Sequence, residues 1–478
     1  MGKDNKLSMP TKALEGEVLS AADTLKAPPR PAHPIASVLD RFLWAEDDYR
    51  DAVSMALTVV AKKRLDELKR THARISKFIS ESKDDGSSIL TANGPHAARD
   101  MFDSLREYER LDHSRILPLM ARSFFIGLFS EYDSFIGALL KAIYSRKPEL
   151  YKGIKREIAL TELLSFQDLA EVKKDMLEKE IDSFRRESYI EQFSELERKF
   201  EIKTLKAFPE WSQFVEYSQR RNVMTHNDGR VSQQYLSVCE REGVKFTEKP
   251  KIGDELTLTP DYMREAIFVI SKVGFMLAHT LWRKVLPDDI KDANEALNDT
   301  LYGLLIRKRW VIATSFGEFG LTDQMTKGVQ EMSLRIRVIN TAIGLSQAKR
   351  KQEATQLLSS RDWSACIRDF KLAIAVLKES YSEAAQIMRD IGKRGELVSQ
   401  LAYHDWPLFE DFRDQPEFQS AYQDIYGVPF LEKISEGALE ISKENTSTGA
   451  KKSSVIGRKR LAHSSATKAT KKRNIIKH

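Results

Sequence analysis

The chain has 478 residues, 41% of them hydrophobic and 31% charged. That length exceeds what one core supports, so two to four domains are expected, and the charge content fits solvated helices better than an all-β protein. The formal net charge of +6 is misleading, because residues 441–478 hold eleven Lys or Arg against the single acid Glu444. The tail therefore carries +10 and the rest of the chain −4. Charge by itself does not point the folded body at nucleic acid. The tail either meets RNA, DNA or an acidic surface electrostatically, or is a disordered solubilising segment.

Cys239 and Cys366 are far apart and form no Cys-x-x-Cys. This usage fits a reducing cytoplasm and argues against a zinc site or a disulfide framework. No metal or cofactor is expected, and the expected location is cytoplasmic. The N-terminus is polar and then Pro-rich, unlike a signal peptide, and Lys6 breaks the myristoylation pattern. The most apolar stretches, Phe124–Tyr144 and Ala266–Trp282, contain charged or titratable residues. They read as buried helices, and no membrane span is expected.

Along the chain, residues 1–35 read as a disordered arm with Pro28, Pro29, Pro31 and Pro34 close together. Tyr49, Val53, Val60, Leu68 and Ile75 form one stripe of a long helix within residues 36–80, expected to pack on a helix of the same chain. Asp84-Asp85-Gly86-Ser87-Ser88 and Asn93-Gly94-Pro95 mark a linker. An apolar helix follows at about 121–144, then amphipathic helices at about 154–179 and 181–200. Pro209-Glu210-Trp211 opens another helix, whose Trp211, Phe214, Val215 and Ser218 share a core face.

That helix is expected to stop at Asn227-Asp228-Gly229. Residues 244–246 and 255–258 alternate around Gly253-Asp254 and predict a small β-arm. Thr259-Pro260 predicts a helix N-cap with Pro at the first position. From about 291 to 427 the chain reads as helical hairpins, with a capping box at Ser380-Tyr381-Ser382-Glu383. Helices at about 331–348 and 351–358 look like an earlier copy of a pair at 363–377 and 380–391. The offset of roughly 32 residues is close to the tetratricopeptide period. Short helices at Trp406-Pro407-Leu408-Phe409 and Pro416-Glu417-Phe418 are expected to close the stack.

Only one stretch looks like chemistry: Arg220-Arg221-Asn222-Val223-Met224-Thr225-His226-Asn227-Asp228-Gly229. It sets a fixed cation, an amide and a titratable base at a helix end, a set suited to a phosphate. Arg220 also fits the spacing to His226, but Asn222 follows Arg221 and favours Arg221. Arg220 is expected to meet phosphate or an acid at the surface. The plainer alternative is that Arg221 and His226 cap the helix and pair with Glu216. Glu131 lies on the apolar stripe of its helix, where a carboxylate is costly unless paired. It either pairs with an active-site arginine across a cleft, lies at a dimer interface, or is solvated. No Walker loop, dinucleotide fingerprint or nucleophile elbow is present.

Arg221-Asn222-x-x-x-His226, with Trp211, Glu216, the double arginine, the His-Asn-Asp-Gly turn, Val231 and Tyr235, resembles the active-site region of the HEPN superfamily, in its larger bacterial form. The resemblance extends over about residues 114–286. It implies a metal-independent endoribonuclease acting as a homodimer, with motif helices from both copies lining one cleft. On that resemblance Arg221, Asn222 and His226 are the catalytic residues, Arg220 and Glu131 are supporting, and RNA is the substrate. The products implied are 2′,3′-cyclic phosphate and 5′-OH ends, and the setting implied is antiphage defence, abortive infection or toxin-like growth arrest. The alternative is a non-catalytic scaffold, a HEPN-like dimerisation module with a tetratricopeptide-like binding arm. The expected architecture is all-α: an N-terminal helical segment over 36–100, a HEPN-like bundle over 101–288, a tetratricopeptide-like domain over 289–432 that binds a protein partner, and a disordered basic tail over 433–478.

Overall fold

The structure is a computed structural model that describes residues 33–81 and 88–430. The chain divides into two compact units, Met1–Arg361 and Asp362–His478. Residues 1–32 of the expected arm, residues 82–87 around the linker and the basic tail lie outside the described residues, whereas Pro34 and Ile35, read as the end of the arm, begin the first helix.

The first unit opens with α1, Pro34–Ile75, of 42 residues. Pro34 stands in its first turn, and the His33 ring accepts a hydrogen bond from the Ile35 amide at 3.2 Å. The partner of α1 is in the same chain: it packs on α2, Pro95–Asp112, and on α3, Ile116–Arg146. The two short strands are β1, Ile79–Glu81, and β2, Ser88–Leu90, paired antiparallel between α1 and α2. The β-arm read at 244–258 is not a hairpin. Its second half instead runs against the chain after His226, with the Val231 amide on the Asp254 carbonyl and the Leu256 amide on the Gly229 carbonyl, each at 2.9 Å. Val244, Phe246 and Leu256 pack on Val223, Val231, Tyr235 and Cys239, so the alternation recorded burial rather than strand pairing.

Next come α4, Leu169–Arg186, and α5, Tyr189–Phe200. Both start later than the sequence reading placed them, and the reason is capping. The Asp168 side chain accepts from the Glu171 amide, and Ser188 with Glu191 closes a full capping box. The motif helix is α6, Trp211–His226, followed by α7, Gln233–Arg241, and α8, Pro260–Val285. Thr259 caps α8 as expected, accepting from the Tyr262 amide at 3.2 Å. By length and composition the spans Pro95–Arg146 and Pro260–Val285 are apolar enough to cross a membrane, but 83% of the apolar window of the second is buried inside the protein.

Helix α8 is the axis of the unit. It packs against α1, α3 and α6, and also against α9, Ile290–Ile306, and α10, Trp310–Gly320. Gly274 lets α1 approach, since a Cβ there would strike the Phe42 ring. Phe275 stacks on Phe316 at 3.9 Å, fastening α10. Helices α11, Glu331–Gln347, and α12, Lys351–Ser359, complete the unit, with α11 packed on α9 and α10. The unit boundary thus falls after Arg361 rather than near 288, because residues 289–361 bury their apolar faces against the first unit.

The second unit holds α13, Arg368–Leu377, α14, Tyr381–Ile391, α15, Gln400–Asp405, and α16, Pro416–Tyr426. Two features differ from the sequence reading. Helix α13 starts at Arg368, because the Asp362 carboxylate takes the Ser364 amide at 2.9 Å and holds a turn there. Ser380 makes no side-chain cap, so its capping box does not form. The two helix pairs read as repeats fall in different units.

Glu46 of α1 is 2% exposed, and one of its carboxylate oxygens has no hydrogen-bond partner among the described residues. Burial first, then the charge of Glu131, pushes its carboxyl well above the ordinary glutamate range. The folded state therefore holds a proton that the unfolded chain releases at lower pH, and the contribution of Glu46 to stability falls as pH rises through that window. Glu46→Gln is expected to gain stability relative to the parent as pH is raised from 5 to 8, read by urea unfolding at both pH values. A gap between the two proteins that does not change with pH would refute a protonated Glu46.

Candidate active site

The interior half of α6 is core. Trp211, Phe214, Val215 and Ser218 are all 7% exposed or less, as their shared face requires. Phe214 sits among Phe129, Tyr132, Tyr189 and Phe193, which lock α6 against α3 and α5. The helix ends where the sequence reading placed it. Asn227 is the C-cap, Asp228 has φ 50° and Gly229 has φ 78°. A Cβ at Gly229 would also press on Met224 Sδ at 3.3 Å, so this turn favours glycine twice over.

The two adjacent arginines do different jobs. Arg220 is not at the surface: its Nε donates to Glu216 Oε1 at 2.8 Å, its Nη1 to the Thr257 carbonyl at 2.9 Å, and its guanidinium lies 4.1 Å over the Tyr262 ring. Glu216, 7% exposed, also accepts from the Tyr235 and Tyr262 hydroxyls, each at 2.6 Å. The buried carboxylate thus takes three donors from three helices, α6, α7 and α8. Glu216, the acid that the plainer alternative pairs with Arg221 and His226, is met instead by Arg220.

Arg221 is half-buried, and its Nη1 donates to the Asn222 amide oxygen at 3.1 Å. Its nearest carboxylate is Asp133 of α3, at 4.0 Å. Asp133 accepts from the Tyr189 hydroxyl at 2.8 Å, and burial raises its carboxyl above the ordinary range, offset in part by that bond and by the charges of Arg221 and Arg185. Arg221 Nε is buried with no partner among the described residues. Glu131 is placed elsewhere: it faces Glu46 and Tyr49 of α1, whose proton affinities it raises. Two residues along a helix turn the side chain by roughly 200°, so only one of Glu131 and Asp133 can face α6. The signal that separates them is the aromatic stripe of α3, whose Phe129 and Tyr132 meet Phe214 and flank Asp133.

His226 is exposed in the last turn of α6 and has no hydrogen-bond partner among the described residues. The Asn222 amide oxygen is engaged by Arg221, so that atom does not orient the imidazole. The turn after His226 is ringed by arginines that the sequence reading missed. Arg122 Nη1 donates to Asp228 at 2.7 Å, and this bond, with the charges of Arg122, Arg115 and Arg230, holds the Asp228 carboxyl below its ordinary range. Three arginines face Asp228, with Glu255 3.9 Å from Arg115, so the rim is locally basic although the chain before the tail is acidic. Those arginines come from residues 115–122 and 230, and only the fold collects them.

A cleft of about 660 Å³ opens beside the same turn, between α1, the start of α3 and residues 255–260, and Arg115 and Arg122 of the rim line it. Met224, Asp228 and Gly229 line it, whereas Arg221, Asn222 and His226 do not. Among the described residues, no three His, Cys, Asp or Glu side chains gather as a metal site. Comparison with family models, with curated proteins and with solved structures finds no match.

The neighbouring arginines are therefore expected to separate in stability. Arg220→Ala strands a buried carboxylate and is expected to cost about 3–5 kcal/mol. Arg221→Ala loses one long ion pair and its hydrogen bond to Asn222 and is expected to cost only about 1 kcal/mol. Urea unfolding of both variants checks this, and equal losses would contradict the division of labour.

Proposed function

We propose that this chain is a metal-independent endoribonuclease of the HEPN type, acting as a homodimer. One observation carries the reading. The exposed end of α6 presents an imidazole with no partner among the described residues, near a half-buried Arg221–Asn222 pair, the turn that follows holds Asp228 among three arginines, and the buried half of the same helix is clamped by Glu216.

In this mechanism the 2′-hydroxyl of the RNA loses its proton and its oxygen attacks the adjacent phosphorus. The bond from phosphorus to the 5′-oxygen breaks, and that oxygen takes a proton, leaving a 2′,3′-cyclic phosphate and a 5′-OH. His226 transfers one of these protons and solvent water exchanges the other. Arg221 stabilises the extra negative charge of the pentacoordinate phosphate through its guanidinium, whose Nε has no other acceptor among the described residues. Asn222 fixes that guanidinium through its amide oxygen. Arg115, Arg122 and Arg230 attract the backbone phosphates that flank the scissile one.

A homodimer fits the helix geometry. Arg221 and His226 are five residues apart, which sets their side chains about 140° from each other around the helix. Two copies of α6 side by side would bring the arginine of one copy toward the histidine of the other. By the same family resemblance, the biological setting is antiphage defence, abortive infection or toxin-like growth arrest, and the tetratricopeptide-like reading of residues 289–432 implies a protein partner. The competing reading is a non-catalytic dimerisation scaffold. The engagement of Arg221 with Asn222 and its approach to Asp133 favour that reading, because they occupy part of the guanidinium.

The deciding assay incubates the purified chain with mixed tRNA and mRNA in EDTA and reads the product ends. Cyclic-phosphate ends are expected, with rates lowered by at least about 100-fold in both His226→Ala and Arg221→Ala. A folded, dimeric parent that cleaves none of these RNAs, or a His226→Ala variant that cleaves as the parent does, would leave the scaffold standing.

A further inference from the structure

Helix α8 carries a second group of basic side chains far along the chain from the motif. His279, Trp282 and Arg283 stand at spacings of three and four residues and share a helix face. His279 and Trp282 are 0% exposed. Both ring nitrogens of His279, the Trp282 indole nitrogen, and Nε and Nη1 of Arg283 are buried with no hydrogen-bond partner among the described residues. A native interior leaves few such atoms without a partner, and here five belong to three neighbouring side chains.

A second cation lies against the same face. Arg337 of α11 is 0% exposed. It donates to Asn298 Oδ1 at 3.0 Å, to Asn294 Oδ1 at 2.9 Å and to the Gly320 carbonyl at 2.8 Å. Arg283 Nη2 donates to the same Asn294 oxygen, so two guanidinium groups converge on one neutral acceptor. No carboxylate of the described residues forms an ion pair with Arg283 or Arg337. Burial pushes the Arg283 guanidinium down to about 10. Burial and the charge of Arg283 push Arg337 down to about 9. Burial, then these two charges, also lowers the His279 imidazole, which stays neutral and keeps one N–H donor. The carbonyl of Gly320 ends α10 and offsets part of the Arg337 charge. Among the described residues, no backbone carbonyl accepts from Arg283. Arg337 is fully buried and Arg283 half-buried, and two like charges that share one acceptor repel, which an arginine does not relieve by shedding its proton.

We propose that His279, Trp282, Arg283 and Arg337 form a binding site for a small inorganic oxyanion of the phosphate or sulfate type. The anion accepts from Arg283, from the Trp282 indole N–H and from the His279 N–H, and it neutralises the pair of guanidinium groups. Several donors directed from different side chains suit a tetrahedral oxyanion, which offers an acceptor oxygen to each, better than a spherical halide. The site ties α8 to α9 and α11, so its occupancy stabilises the first unit. It does not depend on the ribonuclease reading.

The test follows the thermal unfolding midpoint of the full chain as inorganic phosphate or sulfate replaces chloride at constant ionic strength. The midpoint is expected to climb by roughly 2 °C for each tenfold rise in free oxyanion once the site is filling. Arg283→Met is expected to abolish the climb. Arg221→Ala, at the motif, is expected to keep it, which separates this site from the proposed active site. If Arg283→Met does not fold, Arg283→Lys takes its place and is expected to weaken phosphate binding about tenfold in calorimetric titration. A midpoint indifferent to the exchange of anions, or a climb that survives loss of the Arg283 guanidinium, overturns the proposal.

Discussion

The carboxylate of Glu216 is the constraint on which the motif region depends. A buried carboxylate is tolerated only with several donors, and this one receives Arg220, Tyr235 and Tyr262. Those donors come from α6, α7 and α8, so satisfying one charge fixes the relative placement of three helices. The cation–π stack of Arg220 on Tyr262 and its bond to the Thr257 carbonyl extend the same clamp to the segment before α8. With that half of α6 immobilised, the last turn is presented outward as a rigid extension rather than as a loop.

This division makes α6 two devices in one helix. Trp211 through Ser218 is held by aromatic packing, and the Glu216 clamp continues to Arg220. Beyond Arg220 the side chains are half-buried or exposed on one side of the helix, while Val223 and Met224 stay buried on the other. The backbone then turns sharply at Asp228 and Gly229 and hands the chain to a short antiparallel contact with residues 253–256. That contact brings Arg230 near Asp228, and the start of α3 brings Arg115 and Arg122. A chain that is acidic outside its tail thereby gathers three arginines around Asp228, two residues beyond the exposed His226. Charge summed over a sequence says little about such a rim, since a field is set by local arrangement.

Much of the helical order is legible in the sequence, and the misses have common causes. The stop at Asn227-Asp228-Gly229 and the start at Thr259-Pro260 are where local chemistry places them, because left-handed backbone and an N-terminal proline are local demands. The starts of α4 and α5 are misplaced when apolar periodicity outweighs capping, although Asp168 and Ser188 announce both. Residues 244–258 alternate like strands but are buried piecemeal on Tyr235 and Cys239, and alternation alone does not supply a pairing partner. In the second unit, Ser380 has the capping-box pattern without the bond, since its backbone leaves the preceding helix through a left-handed Glu379.

For the candidate site, the sequence by itself determined the residue types, their spacing and the helix end that carries them, because a turn signal and a periodic stripe act over a few residues. Only the tertiary structure decided which arginine is clamped to a buried carboxylate and which stays half-exposed at the helix end. Arg220 and Arg221 are chemically identical, and about 100° of helix rotation sends the first to a buried carboxylate and leaves the second half-exposed. It also decided that Asp133 rather than Glu131 faces Arg221, and that residues 289–361 join the first unit. Each of these choices depends on contacts between segments far apart in the chain, and no local pattern encodes which distant surface will be met.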